Sequence, residues 1–168
     1  MPPQERLLPS LLDRLTDGDP QSRRPESDRF VFDLPEYRAA VFRDLGWLLN
    51  AMSPARAEDI EGLEQVGRST LNYGMPPLSG GAASGLDVRQ LERRMREVIQ
   101  RFEPRIIGET VKVQVEVEAG VMNHRALTFR VEGMLWAQPV PEQVYLRTQL
   151  DLETGHVTLA DFGVRESS

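Results

Sequence analysis

The chain has no cysteine and only two histidines among its 168 residues. The first absence removes disulfide frameworks, thiol nucleophiles and thiolate metal sites together, and fits a reducing compartment. The second leaves His124 and His156 in predicted turns, without the paired spacing a zinc site needs. No apolar run approaches the roughly 20 residues of a membrane span. Leu7 to Leu15 is broken by Pro9, Asp13 and Arg14, and no small-residue cleavage site follows, so no secretory signal is expected. Excess positive charge is lacking too. With 26 acidic and 20 basic residues the net charge is −6, which argues against nucleic acid as the main partner. These absences point to a cytoplasmic protein without direct membrane insertion.

What is present suits a folded domain: 40% of the residues are hydrophobic and eleven are aromatic. The clearest periodic segment is an amphipathic helix. Asp87 followed by Gln90 predicts a capping box and a start at Val88. Val88, Leu91, Met95, Val98, Ile99 and Phe102 then share one arc roughly 100° wide. Arg89, Arg93, Arg94, Arg96 and Arg101 fall outside it, interleaved with Glu92 and Glu97, which are spaced to pair with Arg96 and Arg101.

The helix runs into Phe102-Glu103-Pro104-Arg105. Pro104 has no N–H and forces Glu103 out of helical geometry, so the chain turns extended at this point. Side chains two apart in an extended segment share a face. Glu103 and Arg105 are thus predicted to project together from a rigid corner. A glutamate at a helix C-terminus is disfavoured by the macrodipole. Either Arg105 offsets it within the subunit, or the pair meets a partner across an interface.

Upstream, Leu7, Leu8, Leu11, Leu12 and Leu15 predict a short helix with a leucine stripe, followed by a polar run from Thr16 to Arg29. Residues 1–29 read as an amphipathic arm on a linker, and 30–168 as one domain. So short a helix needs a surface for its stripe, its own domain or a partner. A second helix is predicted from the capping box Asp33 and Glu36, with Pro35 in its first turn. Tyr37, Val41, Phe42, Leu45, Leu48, Leu49 and Met52 cover one side, and Trp47 points away as a candidate exposed anchor. Between the helices, Ser53 to Gly85 is too long for a plain connection, so a helical turn is expected at 60–66 and a packed loop at 69–78. Ser79 to Gly85 is glycine-rich but lacks the lysine of a phosphate loop.

After the corner the period changes to two. Val111, Val113, Val115 and Val117 alternate with polar residues, and Leu127, Phe129, Val131 and Leu135 continue the pattern. Val144, Leu146, Leu150 and Leu152 mark a third strand, and Val157 to Leu159 a short fourth. Helices first and then an antiparallel meander of three to four strands, packed on the arginine-rich helix, is an α+β fold. A meander leaves two edges that can accept a strand from another chain. The receiving edge is either the Val111 strand or the last one; the pattern does not choose.

Three stretches carry a resemblance: Leu7 to Leu15, Val41 to Asn50, and the pairing of Ser69-Thr70-Leu71-Asn72-Tyr73-Gly74-Met75-Pro76 with Phe102 to Arg105. In that order, over nearly the whole chain, the sequence resembles the TssE family of type VI secretion baseplate subunits and the wider baseplate wedge proteins of contractile tails, sometimes labelled lysozyme-like. The resemblance implies a structural baseplate subunit whose Glu103, Pro104 and Arg105 dock on wedge subunits of the TssF, TssG and TssK type. It also implies a sheet that starts assembly of a sheath of the TssB and TssC type. Trp47, Leu8, Leu11, Leu12 and Leu15 join that corner as candidate partner-binding residues. No catalytic, metal-binding or cofactor-binding residue and no small-molecule substrate is expected. The rival class is a glycoside hydrolase, which needs two carboxylates across a cleft, one of them a proton donor. Arg105 is the wrong neighbour for a proton-donating Glu103, and Glu116 and Glu118 read as the polar face of a strand. A generic cytoplasmic adaptor is the remaining alternative.

Overall fold

The structure, a computed structural model, describes residues 7–16, 31–54, 60–76, 87–116, 126–137 and 139–161. Among these, four helices precede four strands: α1 (Leu11–Leu15), α2 (Leu34–Asn50), α3 (Glu64–Arg68), α4 (Val88–Phe102), then β1 (Lys112–Glu116), β2 (Ala126–Leu135), β3 (Glu142–Asp151) and β4 (Val157–Asp161). The strands form one antiparallel meander in the order β1-β2-β3-β4. The α+β class read from the periodicity is the class observed.

Register decides which side of the sheet is buried. Val113 pairs with Val131 and Val131 with Leu146, while Val115, Phe129, Thr148 and Leu159 form the adjoining row. Directly opposed residues share a face. The valines, leucines and Phe129 therefore line a single apolar face, and Lys112, Gln114, Arg130 and Gln149 line the other. Over the apolar face α4 lies against β1 and α2 against β4, and the two helices touch each other. Leu91, Met95, Val98 and Ile99 of α4 and Val41, Leu45, Leu48 and Leu49 of α2 are buried in the same core. Each such side chain contributes about 1.5–3 kcal/mol relative to exposure. Thr148 is the polar residue in the middle of that face, and its hydroxyl reaches the Phe129 carbonyl at 3.4 Å.

Several boundaries differ from those expected. The leucine stripe of the arm is broken, because the helix starts only at Leu11, behind Pro9 and a Ser10–Asp13 capping box. Leu7 leaves the stripe: it bridges Phe32 in antiparallel fashion and enters the core, whereas Leu8, Leu11, Leu12 and Leu15 stay exposed. Asp33 and Glu36 do form a capping box, but at α4 only the Asp87 half exists, its carboxylate accepting from the N–H groups of Arg89 and Gln90. The pairings expected on α4, Glu92 with Arg96 and Glu97 with Arg101, are replaced. Glu92 accepts the N–H of Val115 at 2.7 Å, and Arg101 donates to the Gly67 carbonyl at 2.8 Å. Val111 sits in a 3-10 turn's cap before β1, and Leu152 falls in the β3–β4 turn, where Asp151 accepts the N–H groups of Glu153 and Thr154. Val117, Glu118, His124 and the glycine-rich Ser79 to Gly85 lie outside the described residues.

The helical turn expected at 60–66 begins as a turn closed by Leu63 N–H on Ile60 O at 2.9 Å and runs on into α3, which ends two residues later than expected, and a 3-10 turn at Thr70–Asn72 follows it. This segment is locked onto the end of α2. Ser53 N–H donates to Met75 O and Met75 N–H to Ala51 O, both at 2.8 Å, a short parallel bridge. Beneath it the buried Ser53 hydroxyl meets Asn72. Gly74 makes the approach possible: its φ is +111°, and a Cβ there would lie 2.4 Å from the Ala51 carbonyl oxygen. Among the described residues no helix is long and apolar enough to cross a membrane.

Gly74→Ala combines a left-handed backbone with a backbone clash. It is expected to lower stability by about 3 kcal/mol in urea unfolding, and an unchanged midpoint would mean that the bridge is dispensable.

Candidate docking site at the helix-to-strand corner

The corner is built by backbone constraints from both sides. Helix α4 closes with Glu103 N–H on Ile99 O at 2.9 Å, and Pro104 prevents its continuation. The chain beyond is then stitched to the end of β2: Ile107 N–H donates to Met134 O at 2.8 Å and Trp136 N–H to Arg105 O at 2.7 Å. Gly133 lets this crossing come close, since a Cβ there would sit 2.8 Å from Ile106 Cγ2. The three corner residues are held by the helix on one side and the sheet on the other.

On this frame Glu103 and Arg105 come together and pair inside the chain, though not through the extended segment expected: Pro104 and Arg105 form a turn closed by Ile106 N–H on the Glu103 carbonyl at 3.2 Å. Arg105 Nε donates to Glu103 Oε1 at 2.7 Å and Nη2 to Oε2 at 2.5 Å, while the Arg105 backbone N–H adds a third bond to Oε1 at 3.1 Å. A further residue completes the set. Asp44 of α2 accepts from Arg105 Nη2 at 2.7 Å through Oδ2, and its Oδ1 accepts Arg43 Nε and Nη2 at 2.9 and 2.7 Å. Arg43 also binds Asp13 of the arm. One alternating chain of charge, Asp13–Arg43–Asp44–Arg105–Glu103, thus joins α1, α2 and the corner.

Burial shapes these groups unequally. Glu103 is 3% exposed, so its carboxylate forms the floor, whereas the Arg105 side chain retains 20% exposure and Pro104 is exposed. Desolvation works to lower the Arg105 guanidinium, but the hydrogen bonds and charges of Glu103 and then Asp44 outweigh it and leave it raised. The hydrogen bond from Arg43 holds the Asp13 carboxyl below its ordinary range. Burial pushes up the phenols of Tyr37 and Tyr73, which flank the pair. Tyr73 packs edge-on against Phe102, the rings 5.5 Å apart, and so ties the loop after α3 to the corner.

Outside the ion chain lies a groove of about 460 Å³. Leu8, Leu11 and Leu12 form one wall, Trp47, Leu48 and Tyr73 another, and Glu103, Pro104 and Arg105 the third. Trp47 is half-exposed, as its position on α2 suggested, with the Arg43 guanidinium 4.9 Å from its ring centre. Leu15 is exposed but does not line the groove. Asp44, Asp13 and Tyr73 had no individual role in the sequence reading. The only sign of Asp44 was its place in the Val41 to Asn50 stretch, because its partner is 61 residues away.

An acidic residue of the polar sheet face is engaged there. Glu116 on the polar sheet face pairs with Arg130 and Arg147. Among the described residues no group of His, Asp or Glu side chains is arranged to hold a metal ion, and His156 is exposed in a turn.

Breaking the triad from either end has unequal consequences. Glu103→Ala leaves Arg105 partly buried with one carboxylate and is expected to lose about 3–5 kcal/mol, whereas Asp44→Asn keeps the Glu103 pair and loses about 1–2 kcal/mol. Urea titrations of both variants measure the difference; equal losses would show that Asp44 and Glu103 carry the corner alike.

A family model described as baseplate wedge protein gp25 matches residues 35–140, which include α2, the corner and β2 and all of the groove except the wall supplied by the arm. No curated protein and no solved structure matches the chain. With well over half of its length matched, the chain belongs to the baseplate wedge protein gp25 family, the family that also includes TssE.

Proposed function

We propose that the chain is a TssE-type subunit of a type VI secretion baseplate, working in the cytoplasm; its family membership supports this with a structural role in the baseplate of a contractile tail, in contact with other baseplate proteins. In this reading the groove beside Glu103, Pro104 and Arg105 docks on wedge subunits of the TssF, TssG and TssK type, and the sheet seeds a sheath of the TssB and TssC type. The observation that carries it is the groove: exposed leucines and a half-exposed tryptophan gathered around a corner braced from within. Apolar anchors around a desolvated polar centre are what a protein interface requires. The internal brace supports docking because a partner meets Pro104 and the outer edge of Arg105 already in place, with little ordering left to do on binding.

The same reading makes the chain a non-enzyme. Both oxygens of Glu103 accept from Arg105, and Glu116 is shared between two arginines, so neither carboxyl is disposed to give a proton to a glycosidic oxygen.

Because Leu12 and Trp47 are exposed, Leu12→Glu and Trp47→Ser are expected to melt like the parent. Each should reduce capture of co-expressed wedge subunits by tenfold or more. Full capture by both variants would move docking away from the groove. The purified chain should release no sugar from peptidoglycan, and turnover that disappears in Glu103→Gln would overturn the non-enzymatic reading.

A further inference from the structure

The outer flank of α4 is charged in a way the fold itself does not use. The helix carries five arginines and two glutamates, net +3, in a chain of net −6. Elsewhere the described arginines are mostly engaged: Arg38 with Glu142, Arg43 with Asp13 and Asp44, Arg130 and Arg147 with Glu116. On α4, Arg101 donates to the Gly67 carbonyl. Arg89, Arg93, Arg94 and Arg96 meet no carboxylate and no hydrogen-bond acceptor among the described residues, and Arg96 Nε is buried without a partner. The two glutamates do not neutralise them. Glu92 is taken by the Val115 N–H, and the exposed Glu97 makes no ion pair among the described residues.

Three of these arginines form a row. At about 100° per residue, Arg89, Arg93 and Arg96 fall within about 60° of one another, whereas Arg94 projects about 100° away from Arg93. Along the axis they succeed each other in steps of about 6 Å and about 4.5 Å. The row lies on the flank toward β1, where Glu92 reaches Val115 and Gln100 donates to the Gly108 carbonyl at 2.8 Å. None of the three lines the groove at the corner. The row works against the helix that bears it. Like charges three and four residues apart repel, and Arg89, in the first turn, stands at the pole of the macrodipole that favours negative charge. A buried guanidinium N–H without an acceptor is a further cost. An anion supplied from outside relieves all three.

We propose that this flank of α4 is a second docking surface, taking an acidic helix of another protein whose carboxylates repeat at the spacing of Arg89, Arg93 and Arg96. Two helices lying side by side present such rows at the same rise per residue, so that each guanidinium meets one carboxylate. A lipid surface fits less well, because no large apolar side chain of α4 is exposed to enter a bilayer. Nucleic acid fits less well too, since one short row on a chain of net −6 is far from the basic surface it needs. Exposed ion pairs are individually weak and screened by salt. The contact is therefore a reversible one, made and released without involving the groove. It stands apart from the TssE-type reading and holds for any assembly in which the chain works.

The probe is a synthetic, end-capped, alanine-rich helical peptide bearing glutamates at i, i+4 and i+7, titrated into the isotopically labelled full chain at low salt. Its control has the same composition with the glutamates spread around the helix. The matched peptide is expected to shift the Nε–H signals of Arg89, Arg93 and Arg96 and to bind about tenfold tighter than the control, an advantage that added salt removes. Arg93→Glu is expected to melt at or above the parent, because its carboxylate stands four residues from Arg89 and three from Arg96. It should bind the matched peptide about tenfold less, and a peptide whose middle glutamate is changed to lysine should recover the loss. The shifts on the parent chain need no variant and locate the site by themselves. Control peptide or duplex DNA bound as tightly as the matched peptide would make the row a general attractor of anions and overturn the proposal. Shifts confined to the groove, undiminished binding by Arg93→Glu, or no binding by the parent would overturn it as well.

Discussion

The helix-to-strand corner depends on the guanidinium of Arg105, which is caught between Glu103 of its own segment and Asp44 of α2. A buried ion pair is weak evidence for stability, since desolvation consumes most of the Coulombic gain. What this one supplies is position. Glu103 sits where a helix C-terminus disfavours negative charge, Pro104 stops the helix, and Arg105 neutralises the carboxylate from within the turn that leads to the sheet. The direct bond to Asp44 then fixes α2 relative to the end of α4. An apolar corner of equal stability would have no comparable directional preference.

From that triad the charge chain continues through Arg43 to Asp13, which brings the first helix to the rim of the groove. Helix α1 is only five residues long and buries none of them. Its place comes from a capping box, an ion pair and the Leu7–Phe32 bridge. Such a segment cannot be stable by itself, and its leucines are displayed because the attachments use Leu7, Ser10 and Asp13 instead. The groove is therefore composite. Arm, α2 and corner each present part of it, and the ion chain keeps the parts in register.

The sheet shows a complementary economy. Its buried face is covered by α2 and α4, and each helix also sends one polar side chain to an edge, Asn50 to β4 and Glu92 to β1. A free edge is an aggregation hazard that proteins cover or charge. Here a carboxylate guards one edge, and an amide that imitates a strand guards only the start of the other.

Much of this was legible in order and period. The apolar arc of α4, the period-two alternation around Phe129 and Val131 and the stop at Pro104 are local consequences of backbone geometry, and they appear as read, whereas the extended run expected after Glu103 is a turn that brings Arg105 back to it. The misreadings are also local in cause: the leucine stripe was followed through Pro9, although proline and the Ser10 cap forbid a helix there, and Leu152 was counted with β3 although Asp151 caps the turn. The role of Asp44, the attachment of Asp13, the locking of Gly74 against Ala51 and the bonds of Glu92 and Asn50 to Val115 and Val157 were beyond such a reading. Each joins residues far apart in the chain, and periodicity carries no record of distance in space. By itself the sequence determined the main elements, the side each buries and the place where α4 stops, because these follow from steric limits on neighbouring residues. Only the tertiary structure decided that the corner is a turn and that the Glu103–Arg105 pair closes inside the chain with a third member, because hydrogen-bond partners are chosen by packing.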